Sequence, residues 1–133
     1  LTGHTKDDQV ETIYMKEIDG GDWMSKIGIY EEFGKLRRPL LDIEKKQIQD
    51  YAINNQISWM EDPTNNDLSY RRNNIRHNKL PSEEEGNPEY KESLIAISKK
   101  NLELLYKTKK ILFRNKNKVV KVSSKDLIQF YKP

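Results

Sequence analysis

The residues best suited to chemistry open the chain: Gly3-His4-Thr5-Lys6-Asp7-Asp8-Gln9-Val10-Glu11-Thr12 sets a histidine and two adjacent carboxylates where a strand would hand over to a helix. In open α/β sheets that edge is where ligands bind, and free amides at a helix start favour phosphate oxygens. A carboxylate there can hold a magnesium ion that already bridges phosphates, because magnesium takes only one or two protein carboxylates. His4 could donate to a phosphate or to a transferring group. A purely structural reading also fits, with Asp8 completing a capping box and His4 ending a strand. These residues alone leave the two readings open.

Two further stretches carry cations. Leu36-Arg37-Arg38-Pro39-Leu40-Leu41 offers Arg38 at a strand edge, where a guanidinium can clamp a phosphate through two bonds. Glu61-Asp62-Pro63-Thr64-Asn65-Asn66-Asp67 leads into Tyr70-Arg71-Arg72-Asn73-Asn74-Ile75-Arg76-His77. On a helix, Arg72, Arg76 and Lys79 line one face. With Tyr70 as a stacking surface, that stripe suits an unpaired RNA base and its backbone. Equally, Glu61, Asp62 and Asp67 could pin the arginines to the domain.

The elements that must position these groups are short. Thr5 caps a first helix whose Val10, Ile13, Tyr14 and Ile18 share a face, and Gly20-Gly21 stops it. A one-faced helix so near the start of the chain implies further structure before it to pack against. Lys35–Leu41 reads as a strand, Asp42 caps a helix to about Asn54 burying Ile48, Tyr51 and Ala52, and Ile57–Met60 reads as a second strand. Asp67 caps a helix to about His77, and the stretch from Pro81 to Pro88 is a polar hinge. A long helix follows over Tyr90–Asn115 with Leu94, Ile97, Leu105 and Leu112 buried, then a strand at Lys118–Val122 and a last helix capped by Ser124. Strands alternating with helices over residues 1–80 argue an α/β architecture, and the remainder a helical appendage.

Composition narrows the class. The 133 residues fit one small domain, and a hydrophobic share of 35% against 34% charged is lean for a self-sufficient core. Without cysteine there is no disulfide scaffold, thiolate zinc site or thiol nucleophile. Leu94–Ile97, the longest apolar run, is far short of the ~20 residues that span a bilayer, and no targeting segment is evident, so a cytoplasmic protein that does not engage a membrane is expected. The net charge of +3 conceals a split: residues 1–69 carry 8 basic and 14 acidic side chains, residues 70–133 carry 16 and 7. Such asymmetry points to a polyanionic partner at the C-terminal side, or else to a solvated lysine-rich helix face.

In this order and spacing, GHTKDDQVET at 3–12, RRPLL at 37–41 and EDPTNNDLSYRRNNIRHNKLP at 61–81 resemble the tRNA(Ile)-lysidine synthetases, a family of ATP-pyrophosphatases of the PP-loop type. The resemblance implies an adenine-nucleotide alpha-hydrolase-like, Rossmann-like fold with a parallel sheet. Residues 1–81 would be the C-terminal part of the catalytic domain, and 82–133 a helical linker. It implies ATP and Mg2+ as cofactors, with free lysine and an isoleucine tRNA bearing a CAU anticodon as substrates. The wobble cytidine is adenylated, the amine of lysine attacks the activated ring carbon, and AMP leaves. By the same resemblance His4, Asp8 and Arg72 are catalytic, Asp7 and Asp8 bind the nucleotide, and Asp8 holds the metal. Arg38, Tyr70, Arg72, Asn73 and Arg76 face the tRNA. Oligomeric state, a homodimer included, stays open.

The family's Ser-Gly-Gly-x-Asp-Ser phosphate loop has no counterpart in residues 1–133. The expectation is therefore a fragment that does not adenylate RNA by itself. The alternatives are a non-catalytic RNA-binding module built on the basic region, or another PP-loop tRNA-modifying enzyme such as a thiolase.

Overall fold

The computed structural model describes residues 1–114. The calls at Lys118–Val122 and Ser124 lie outside the described residues. At the centre stands α1 (Lys6–Ile18). Thr5 caps it in a reciprocal box with Asp8, and Gly20, at φ +69, lets the chain turn away beyond its end. Val10, Ile13 and Tyr14 of α1 form the core with Ile75, Leu80 and Leu94, with Tyr90, Met15 and Ile95 packed at its edge. The Tyr14 and Tyr90 rings meet edge to face, with centroids 6.2 Å apart.

A short turn at Ser25–Ile27 buries Ile27 and is tied to α1 by Gln9. Gln9 Nε2 donates to Ile27 O (3.0 Å), Ile29 O (3.2 Å) and Ser98 Oγ (3.1 Å), while its Oε1 accepts from Ile29 N (2.6 Å). Then β1 (Glu32–Phe33) and β2 (Leu36–Arg37) pair antiparallel, Glu32 opposite Arg37 and Phe33 opposite Leu36. Gly34, at φ +58, supplies the positive torsion that such a two-residue loop requires.

The parallel sheet expected from the sequence does not appear among the described residues; the two-stranded hairpin is the only sheet there. The strand expected over Lys35–Leu41 reduces to Leu36–Arg37. Pro39 cannot donate to a ladder. Ile57–Met60 is not a strand either: Ile57, Trp59 and Met60 are exposed, and no second strand lies beside them among the described residues.

Helix α2 (Lys45–Asn54) starts from Glu44 rather than Asp42, and it buries no residue. Its Ile48, Tyr51 and Ala52 instead line an open groove with Ile57, Trp59 and Met60. Asp67 does not cap the next helix, because its carboxylate takes Ser69 N (2.9 Å); the helix begins one turn of chain later with Tyr70 as N-cap. There α3 (Arg71–Asn74), a π turn (Ile75–Lys79) and α4 (Leu80–Gly86) run on without a break. The expected hinge over 81–88 is thus helical as far as Gly86. Pro81 is tolerated in the first turn of α4, which follows directly on the π turn.

Helix α5 (Tyr90–Arg114) is described as far as Arg114. Its buried row is Leu94, Ser98, Leu105 and Thr108, so the expected Ile97 and Leu112 are only half-buried. None of the described helices is long and apolar enough to cross a membrane.

Candidate active site

The two sequence blocks richest in chemistry meet directly. Asp8 and Glu11, three residues apart on α1, present carboxylates to Arg72 and Arg76 on the α3 run. Glu11 is buried, with a side chain only 1% exposed. It accepts Arg72 Nε at 2.6 Å on one oxygen and Arg76 Nε at 2.6 Å on the other, with Arg76 Nη2 at 3.2 Å. Asp8 Oδ1 accepts Arg72 Nη2 at 3.0 Å. The Glu11 carboxylate beside Arg76 raises that guanidinium's pKa further, against the opposing pull of burial. The four groups balance in charge. Each arginine is held side-on by Nε, and among the described residues the Nη1 groups of both have no hydrogen-bond partner.

Glu11 is the residue that the sequence reading passed over. Its signal was present, since i, i+3 spacing from Asp8 puts both carboxylates on one flank of α1. A charged residue inside an apolar stretch is seldom buried without partners, and the arginines that pair it lie 61 and 65 positions away.

Of the other expected site residues, Asn73 is buried and acts inward. Its Nδ2 donates to Thr64 O (2.7 Å) and Asp67 O (2.9 Å), which latches the 62–67 turn onto α3. Tyr70 is exposed at the N-cap of α3, open to a partner. His4 is half-buried just ahead of the Thr5 cap, with Nδ1 3.0 Å from Thr2 Oγ1. Asp7 turns away from Asp8 and accepts Lys45 N (2.7 Å) at the start of α2. Arg38 stands apart as well, donating through Nη1 to Tyr30 O (2.7 Å).

The helix start is not the open phosphate cradle anticipated from sequence. Lys6 N donates to Ile43 O (2.9 Å), and Asp8 N points at Thr5 Oγ1 (3.5 Å). Nor does Asp8 fit a metal in this arrangement. Its Oδ2 accepts Thr5 N (2.8 Å) and Thr5 Oγ1 (2.9 Å), and its Oδ1 faces a guanidinium. No group of three metal-ligating side chains occurs among the described residues. For an anion the fit is better, because the Nη1 groups of Arg72 and Arg76 are donors to spare.

The class of the chain comes from comparison with known proteins. The chain belongs to the PP-loop domain family, whose model matches residues 1–83. This is an ATP-binding family of α/β, nucleotide-alpha-hydrolase-like fold. The match is to the PP-loop domain as such, and the expectation of a domain without its phosphate loop is not borne out by it. Curated relatives named tRNA(Ile)-lysidine synthase are similar in sequence. One from Treponema denticola is 41% identical over 81 residues, covering 61% of this chain and 18% of the relative. One from Francisella philomiragia is 39% identical over 103 residues (74% and 26%), and one from Lactiplantibacillus plantarum is 41% identical over 93 residues (67% and 21%). The chain spans about a fifth to a quarter of the length of these relatives.

Proposed function

We propose that this chain carries part of the catalytic domain of a tRNA(Ile)-lysidine synthase, residues 1–81 being catalytic and 82–133 the region that follows that domain. The single observation that supports it best is the joining of Asp8 and Glu11 to Arg72 and Arg76, all four within the residues that the family model matches.

The reaction has two steps. The wobble cytidine attacks the α-phosphate of ATP and pyrophosphate leaves; the amine of lysine then attacks the activated ring carbon and AMP leaves. Catalysis of this kind is mainly placement and the neutralisation of phosphate charge. Arg72 and Arg76 are held by their Nε atoms, so their remaining N–H groups meet phosphate oxygens at no further cost of ordering. A substrate ammonium is the cation that Asp8 could take in place of Arg72. Any Mg2+ would come with the ATP phosphates, since Asp8 is committed to Thr5 and Arg72 and does not fit it. Tyr70 offers its ring to the tRNA, and Asn73 fixes the turn beside it. His4 precedes the Thr5 cap, Arg38 stands apart from the cluster on Tyr30, and Asp7 ties the start of α2 to α1. The CAU-anticodon isoleucine tRNA is the polyanion, and the cytoplasm the compartment where it is met.

A chimera tests this reading. Residues 1–81 replace the matching segment of the Treponema denticola synthase, and lysidine formation on a CAU-anticodon tRNA is measured with radiolabelled lysine. The expected result is lysine incorporation that disappears with Asp8→Ala or Arg72→Ala while the chimera stays folded. A folded, ATP-binding chimera that incorporates no lysine, or one whose activity survives both substitutions, overturns it.

A further inference from the structure

We propose that the solvent face of α5 is a docking surface for the sugar-phosphate backbone of a base-paired RNA stem. The inference rests on the reading of the substrate as a tRNA and adds where the body of that tRNA lies. At about 100° per residue, Lys99, Lys100, Lys107, Lys110 and Arg114 fall within an arc of about 100°, directly opposite the buried row of Leu94, Ser98, Leu105 and Thr108. The stripe runs about 22 Å along the helix.

Little opposes it. Glu103 lies within the stripe and pairs with Lys107 (2.6 Å), and Lys99 approaches Asp42 (3.6 Å) with both side chains largely in water. For Lys100, Lys110 and Arg114 no acidic partner occurs among the described residues. Cations gain from the dipole only in the last turn of a helix, which does not account for Lys100. Apart from Glu103, the acidic residues between 80 and 114, namely Glu83, Glu84, Glu85, Glu89 and Glu92, all precede the stripe. The segregation builds a positive field on one side of the molecule.

Lysines are point charges without the forked geometry that reads bases, so this face suits a regular backbone and not a sequence. Double-helical RNA is engaged chiefly through phosphate, 2′-hydroxyl and shape. Unpaired bases are left to Tyr70 and the arginine cluster.

The test uses the 133-residue chain and an unmodified CAU-anticodon tRNA transcript, with fluorescence anisotropy read across a salt series. The stripe variant Lys100→Gln/Lys110→Gln/Arg114→Gln is compared with Lys16→Gln/Lys35→Gln/Lys46→Gln, which removes equal charge from other surfaces. Far-UV circular dichroism checks that both stay helical. The stripe variant should bind at least roughly tenfold more weakly, with a salt slope flatter by about two to three, while the control stays within about twofold. Equal losses in both variants, no loss in either, or no binding by the parent chain overturns the proposal. So does stripe-dependent sedimentation with phosphatidylglycerol vesicles while RNA binding is unchanged, which would make the partner a membrane. Lysidine formation by the chimera with stripe-independent RNA binding sinks only the docking surface. Stripe-dependent binding with an inactive chimera sinks only the enzymatic reading.

Discussion

Arg72 Nε sits 2.6 Å from a carboxylate oxygen of Glu11, joining residues 61 positions apart in the chain. The contact closes the α3 run against α1 at the side of the core and fixes which guanidinium edge faces outward. Glu11 has no contact with water to replace its partners. A buried carboxylate of this kind makes both arginines part of the packing of α3 on α1.

Glu11→Gln should therefore lower stability by about 2 kcal/mol. Breaking a fully buried pair costs more, but Arg72 and Arg76 are 41% and 25% exposed and recover hydration. Urea denaturation followed by circular dichroism gives the value. An unchanged midpoint would mean that the arginines do not compensate a buried charge.

Arg72→Lys separates charge from geometry. An ammonium cannot bond Glu11 and Asp8 in the side-on manner of a guanidinium. Lysidine formation by the chimera should fall about a hundredfold, with a stability loss of only about 1 kcal/mol because the charge beside Glu11 is kept. Near-full activity in the lysine variant would show that only the charge matters.

Asp8→Ala removes a cap as well as a partner of Arg72. Thr5 N and Thr5 Oγ1 lose their acceptor, which costs about 1 kcal/mol of stability. Thermal melting resolves a shift of this size, and the fold should otherwise persist.

Asn73→Ala leaves the carbonyls of Thr64 and Asp67 without their donor and should cost about 1–2 kcal/mol. The 62–67 turn is then freed from α3, and limited proteolysis should cut near Thr64 several times faster. Cleavage at the parent rate would argue that Pro63 and the Asp62 carboxylate hold the turn unaided.

Alkaline pH reports on the core edge. Burial first, then the nearby Glu17 and Glu83 carboxylates, push the Tyr90 hydroxyl up to about 12. In the unfolded chain the phenol ionises near 10, so the neutral form is favoured by folding. Its contribution is complete below pH 10 and is lost between pH 10 and 12. Ultraviolet titration of tyrosinate should show a late-ionising tyrosine that disappears in Tyr90→Phe, and the variant should lose less stability over that interval.

The sequence was most legible where a local rule acts. The Thr5–Asp8 box, the Gly20 stop, the start of α5 at Tyr90 and the buried Leu94 and Leu105 all follow from spacing within one or two turns. It was least legible where a distant group decides. Asp67 prefers Ser69 N to a helix cap, Pro81 falls in the first turn of α4, and Ile57–Met60 finds no strand to pair with. In the candidate site, Asp8, Arg72 and Arg76 were found by type and order, and Glu11 was missed because only the fold shows that both arginines converge on it. Asp7 and Arg38 were placed at the site by adjacency, whereas one turns to α2 and the other to Tyr30.

Gln9 lies on the opposite flank of α1 from this cluster, with its amide saturated by Ile27, Ile29 and Ser98. A one-residue roll of the helix would swing each side chain by about 100° and strand that amide among apolar neighbours. The angular setting of Asp8 and Glu11 is thus keyed from behind, by a neutral residue that never approaches the charges it aims.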